Sequence, residues 1–317
     1  MRDLPPGLTG EQVRDGLAAF GIRARSVAHA AVGFGDHHWV ADRRWFATVA
    51  DLTRKPHCGT GAVAALAGLR AAMGTAVALG DELDFVVPPR LSLDGDPVVP
   101  LDERYALSVF PFTEGEPGEF GRVPTADERD RLLDLLARLH ASAVPAPPVE
   151  VAVDGRAALE SALTRLDRPW TGGPHAEDAR RLLSARAGVV RDGLAEFDRL
   201  AGLVRGRPVV VTHGEPHPGN LIATDSGYRL VDWDTVRAAV PERDLSVVAA
   251  GPGPAGDLGR YAEITGHVPD VAALSLYRLR WSLVDVAEFA SWFHGPHEAS
   301  EDTSAAWRGL VSTLDDL

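Results

Sequence analysis

Lysine and cysteine are almost missing from this chain: Lys55 is the one lysine and Cys58 the one cysteine in 317 residues. A single cysteine can form no internal disulfide, which excludes a disulfide-stapled extracellular domain. No run approaches the ~20 consecutive apolar residues that a membrane-spanning helix needs, so no membrane partner is expected. Residues 1–10 lack a basic segment followed by an apolar core, so no secretory signal is expected and a cytoplasmic location is. Positive charge is also scarce, with 32 Lys and Arg against 45 Asp and Glu and a net charge of −13. Nucleic acids and anionic membrane surfaces reward clustered basic residues, so neither is an expected partner. A neutral or cationic small molecule suits this chain better.

Hydrophobic residues make up 45% and charged residues 24%, an ordinary globular composition. The length suits two lobes of unequal size better than one core. Residues 9–20 read as a helix behind a Thr9 N-cap. The β-branched segments 26–32, 38–41 and 45–49 read as strands, with Gly33 and Gly35 in the turn between the first two. An Ala/Leu-rich helix over 61–79 follows, then strands over 85–87, 97–101 and 105–110. The segment 113–123 (TEGEPGEFGRV) has no periodicity, and the lobe connection is placed at its start. Beyond it helices are expected over 127–141, 176–203, 271–293 and 303–314, with strands only at 208–212 and 228–233. No internal repeat or low-complexity tract is found. The expectation is an α+β chain: a small β-rich N-terminal lobe, 1–111, and a larger, mostly helical C-terminal lobe, 112–317.

The two late strands bracket VVVTHGEPHPGNLIATDSGYRLVDWD, residues 209–234. A strand ends in a loop holding His213, Glu215, His217 and Asn220, and a second strand delivers Asp232 and Asp234. Phosphoryl transfer needs such a set: one carboxylate to take or orient a hydroxyl proton, and a second carboxylate with an amide to hold Mg²⁺ on the phosphates. A zinc site on His213, Glu215 and His217 is disfavoured, because Gly214, Pro216 and Pro218 break any regular strand there. Taken singly, Asn220 also fits a turn residue, His217 a hydrogen-bonded loop histidine, and Asp234 either a second metal ligand or a turn cap.

The spacing His213-x-Glu215-x4-Asn220, with Asp232 following and then PERDLSVV, resembles the aminoglycoside phosphotransferase family over the whole C-terminal half. The resemblance implies a bilobal protein-kinase-like fold and transfer of the γ-phosphoryl of ATP or GTP to a hydroxyl of an aminoglycoside-like or other antibiotic or small-molecule acceptor, with antibiotic resistance among the roles this serves. It implies Mg²⁺ on Asn220 and Asp232, Glu215 in the base position beside His213, and Asp244 bracing the loop.

The chain departs from that pattern in several places. Glu215 stands where the family has Asp. Thr48 stands at the strand position of the phosphate-binding lysine, and the helix over 61–79 has no glutamate to hold one. Lys55, seven residues on, and Arg44, by strand alternation, are the candidate substitutes. Gly33 and Gly35 occupy the position of the kinase glycine-rich loop. The base is expected at Phe110 to Phe112 through main-chain groups, although Pro111 lacks an N–H. The family's acceptor site is often lined by acidic side chains of late helices. Here Trp281, Asp285, Glu288 and Trp292 form one stripe opposite Leu276, Leu279, Leu283, Val286, Ala290 and Phe293. The alternative for that stripe is a structural face with Arg278 neutralising Asp285. For the whole chain, the alternative is a kinase-like binding protein with weak or no catalysis.

Overall fold

The computed structural model describes residues 1–249 and 258–317. Helix α1 (Gly10–Leu17) precedes strands β1 (Val27–Ala30), β2 (His37–Ala41) and β3 (Trp45–Asp51), then helix α2 (Ala62–Glu82) and strands β4 (Val99–Pro100), β5 (Tyr105–Pro111) and β6 (Glu116–Pro117). Helices α3 (Ala126–His140), α4 (Arg156–Leu163) and α5 (Ala176–Val204) follow, then β7 (Val210–Thr212), β8 (Leu221–Thr224), β9 (Gly227–Leu230) and β10 (Arg237–Ala239). The chain ends in α6 (Glu242–Val248), α7 (Gly259–Thr265), α8 (Val271–His294) and α9 (Glu301–Asp316). The structure is α+β, as expected, with a five-stranded antiparallel sheet in the order β1-β2-β3-β5-β4 and a helix-dominated remainder.

Strand alternation gives that sheet two buried faces. Ala47, Val49, Leu107 and Val109 pack with Val13, Leu17 and Phe20 of the first helical segment and with Trp39. The alternate positions Ala50, Ala106 and Phe110 pack against Ala65, Leu69 and Met73 of α2, with Phe46 at the margin. Each large apolar side chain so buried stabilises by about 1.5–3 kcal/mol. The Thr9 cap forms as expected, as a capping box with Gln12.

Three elements differ from expectation. Helix α2 runs on to Glu82 and is long and apolar enough to cross a membrane by length and composition, against the expectation that no segment would be. Its single glutamate sits in the last turn and accepts a hydrogen bond from Ser142. Segment 85–87 makes only an isolated parallel bridge, Val86 to Leu230. β7 pairs with β10, and the hairpin is β8–β9, which adds β6 along its outer edge.

Packing divides the chain elsewhere than at the expected 111/112 boundary. One compact unit comprises Met1–Val149 with Pro208–Pro269, and the other comprises Glu150–Arg207 with Asp270–Leu317. The strand lobe and the β8–β9 hairpin share a unit because the hairpin is stitched to the chain after α2, where Leu230 N–H donates to Phe85 O at 2.7 Å and Val87 N–H to Leu230 O at 3.2 Å.

The second unit consists of α4, α5, α8 and α9. Buried Leu183, Ala187, Val190, Leu194 and Phe197 form the inward stripe of α5. The pattern Trp-x-x-Gly-Pro-His occurs twice, at 170–175 and 292–297, a short repeat that the sequence reading does not pick out. Its two copies pack on each other. His297 N–H donates to Gly172 O at 2.9 Å, His175 N–H donates to His297 Nε2 at 3.1 Å, and the two rings stack at 6.2 Å. A Cβ on Gly172 or Gly173 would run into the Gly295 or His297 carbonyl oxygen, so only glycine permits this approach.

Candidate active site

The loop after β7 is held from beneath by buried charge. His213 is fully buried; its backbone N–H and that of Gly214 donate to the two oxygens of Asp244 at 2.9 and 2.6 Å. His140 Nε2 donates to the same carboxylate at 3.0 Å. Burial alone would raise the Asp244 pKa, but the hydrogen bond and charge of His140 hold it below the ordinary carboxylate value. Asp244, on α6, thus ties the loop after β7 to α3 and α6. The ring of His213 accepts from Glu215 N–H at its Nδ1 (3.2 Å) and donates from its Nε2 to Val231 O (2.9 Å), and burial lowers its pKa. Both nitrogens are thus committed to joining the loop to the chain before Asp232, which corrects the expectation that His213 stands with Glu215 among the reacting groups. Gly214, at φ +104°, lies against the Arg243 guanidinium, with Cζ 2.5 Å from where a Cβ would be.

This scaffold presents Glu215, Asn220 and Asp232. Asn220 Nδ2 donates to Glu215 O at 2.9 Å, which leaves its Oδ1 for a cation. Asp232 does not end a strand as expected: β9 stops at Leu230, and Asp232 has φ +67°, a conformation rare outside glycine and typical of functional sites. Burial and then Asp234 drive the Asp232 pKa well above the ordinary range. Burial and Asp234 likewise raise that of the half-buried Glu215. Burial would raise Asp234 too, but Lys55 and His57 reverse this and hold it well below. His217 stacks edge-on to Phe120 at 4.9 Å, and burial lowers its pKa to about 4.

Across from these residues lies the turn between β1 and β2, where Gly33 and Gly35 adopt φ +70° and +100°. Asp36 follows, buried. Lys55 reaches this point after a 3₁₀ turn at Leu52–Arg54, with Nζ 2.9 Å from Asp36 and 2.5 Å from Asp234. His57 Nε2 joins the same Asp234 oxygen at 3.1 Å. Burial opposes charging of Lys55 and His57, but the carboxylates, Asp234 first, raise both pKa values well above normal. The loop can fold back this far because Gly68 of α2 lies against the Cys58 carbonyl, where a Cβ would collide.

Thr48 carries no cation; its hydroxyl is 3.2 Å from His38 Nδ1, and burial lowers the His38 pKa to about 3. Arg44 does not reach the cluster, since it is exposed just outside β3 and four residues, about 13 Å, from Thr48. Phe110 is laddered to Phe46, and the Phe112 N–H donates to Arg44 O at 2.9 Å, so the donor expected there for a base is already used.

Among the described residues no group of three or more His, Cys, Asp or Glu could hold a metal ion. The donor set nevertheless fits Mg²⁺ with nucleotide: one amide oxygen and one carboxylate, with phosphates and water completing the shell. A second observation agrees, because one buried oxygen of Asp36 has no hydrogen-bond partner among the described residues. The carboxylates of Asp36, Glu215, Asp232 and Asp234 also outnumber Lys55, His57 and Arg243.

The phosphotransferase enzyme family (APH) matches over residues 91–277. The chain belongs to this family. Protein StrN of Streptomyces griseus is 30% identical over 224 residues, covering 66% of each chain. The spectinomycin phosphotransferase APH(9)-Ia, solved with ADP and spectinomycin, superposes with a TM-score of 0.73 at 14% identity, covering 98% of this chain and 97% of that one. The complex of gentamicin with APH(2″)-IIa gives 0.57 at 12% identity, covering 99% and 98%. The fold is therefore protein-kinase-like, and the family is one of small-molecule phosphotransferases.

Sequence reasoning missed two members of this buried charged cluster, Asp36 and His57. His57 stands two residues from the lone lysine, a hint of a charged loop, whereas Asp36 looks like any turn residue. In the other unit, Leu276, Leu283, Val286, Ala290 and Phe293 are buried on α8 as expected, and Leu279 is only half-buried. Trp281, Asp285 and Trp292 are half-buried and Glu288 is exposed.

Proposed function

We propose that this phosphotransferase moves the γ-phosphoryl group of ATP or GTP to a hydroxyl of a cationic, antibiotic-like small molecule. The observation that carries this reading is the loop presenting Glu215 and Asn220 toward Asp232, braced by Asp244 and faced by the chain's one lysine. Asn220 and Asp232 would hold Mg²⁺, which supplies charge neutralisation on the phosphates. Lys55 supplies the cationic contact in place of the missing strand lysine. Glu215 accepts the acceptor's hydroxyl proton as that oxygen bonds to the γ-phosphorus and the bond to the β–γ bridging oxygen breaks. Its raised pKa brings it nearer neutrality, which suits a base.

In a thermal-unfolding assay, ATP or GTP with Mg²⁺ raises the midpoint, since ligand at about 100 times its Kd adds ~2.7 kcal/mol. No shift with either nucleotide removes the proposal. Glu215→Gln lowers turnover by about 10²-fold or more, within the range of general-base catalysis, with little change in nucleotide affinity. Equal turnover in wild type and Gln variant would take Glu215 out of the mechanism.

A cationic acceptor is supported by the net charge of −13 and by Trp281, Asp285, Glu288 and Trp292 on the less buried side of α8. Indole faces and carboxylates both bind ammonium groups. Asp285→Asn and Glu288→Gln each raise the acceptor KM by about fivefold to tenfold, the worth of a charge-assisted hydrogen bond at a partly exposed site, and leave nucleotide binding alone. A mass-spectrometric screen for phosphoryl addition supplies the acceptor, and unchanged kinetics in both variants would make the stripe structural.

A further inference from the structure

Protein kinases hold their phosphate-binding lysine with a glutamate from the neighbouring helix. This chain has neither group in that place: Thr48 occupies the strand position, and the one glutamate of α2 lies in its last turn, bonded to Ser142. Lys55 nonetheless needs a holder, because a long flexible side chain loses conformational entropy on every contact it makes. The structure supplies one. Asp36 follows the two positive-φ glycines, is 7% exposed, and takes Lys55 Nζ at 2.9 Å.

We propose that Asp36 is the positioning residue for the phosphate-binding lysine, so that the lysine–carboxylate pair, absent between strand and helix, is rebuilt between the glycine turn and the loop after β3. The inference rests on the phosphotransferase reading. An ammonium group carries three N–H donors. Two of those of Lys55 go to Asp36 and Asp234, and one remains for a phosphate oxygen. Tying the lysine to the glycine turn places cation and turn backbone on the same phosphates. Asp36 touches no reacting atom in this scheme. Its effect passes entirely through Lys55.

Calorimetric titration of the full chain tests this, with MgADP or MgGDP, whichever wild type binds, and the matching nucleoside as a phosphate-free control. Asp36→Asn and Lys55→Met should each weaken the diphosphate about tenfold or more. The double variant should be no weaker than Lys55→Met alone, nucleoside affinity should stay constant throughout, and Asp36→Glu should recover most of the loss. If Lys55→Met does not fold, Lys55→Arg replaces it in the cycle, with the same expected non-additivity. Wild-type affinity in Asp36→Asn, losses that multiply in the double variant, or an equal loss of nucleoside binding would each overturn the assignment. Wild-type protein that binds neither diphosphate nor nucleoside would instead overturn the phosphotransferase reading, and this inference with it.

Discussion

Asp232→Asn removes the magnesium-dependent part of nucleotide binding and lowers turnover by about 10²–10³-fold, the range for deleting one preorganised charge-stabilising group. The substitution keeps the shape of the side chain and removes its charge. Burial and Asp234 push the carboxyl well above the ordinary range, which strengthens the proton as a competitor of a cation at this side chain. Below that raised pKa, protons compete with Mg²⁺; above it, the carboxylate is ready to bind. Magnesium-dependent affinity therefore increases as pH rises through the Asp232 titration, and binding releases a proton. Calorimetry in buffers of different ionisation enthalpy measures that release, which the Asn variant lacks. An Asn variant with wild-type Mg²⁺ dependence and the same proton release would show that the metal is held elsewhere.

Asp244→Ala destabilises the fold by about 3–5 kcal/mol, as when one partner is deleted from a buried charged network. Three donors lose their acceptor together: the N–H groups of His213 and Gly214, and His140 Nε2. Because the folded pKa of Asp244 is depressed, its contribution is complete above the unfolded carboxylate value of about 4 and is lost as pH falls through the folded value. Urea unfolding at pH 7 and near pH 3 measures both effects, and the stability gap between variant and wild type narrows at the lower pH. A gap under ~1 kcal/mol at pH 7, the size expected of an ordinary surface change, would mean that the loop stands without the brace.

The candidate catalytic loop was legible because its information is local. His213, Glu215 and Asn220 lie within eight residues, and Asp232 and Asp244 follow at short range, so spacing alone carries the pattern. The strands were legible where both faces of the sheet are buried, as in 45–51 and 105–111. Short elements escaped for a related reason. β6, β8 and β10 are two to four residues long and exist only because a partner strand meets them. The end of β9 was misplaced because the chain enters the left-handed region at Asp232, a turn that the strand-like run 228–233 does not announce.

By itself the sequence determined the α+β class, the order of the longer elements, the spacing of His213, Glu215, Asn220 and Asp232, and the absence of a strand lysine with a helix glutamate, because each is a matter of residue type or near spacing. Only the tertiary structure placed Lys55, and not Arg44, among the buried carboxylates, tied both ring nitrogens of His213 into the loop, and brought in Asp36 and His57. Those outcomes hinge on contacts between residues as far apart as 55 and 234, on a glycine at 68 that lets a loop approach a helix, and on burial that drives the pKa values of neighbouring carboxylates apart. Charge pairing in a dry interior is settled by which side chains the fold brings within 3 Å of each other, and separation along the chain does not encode that.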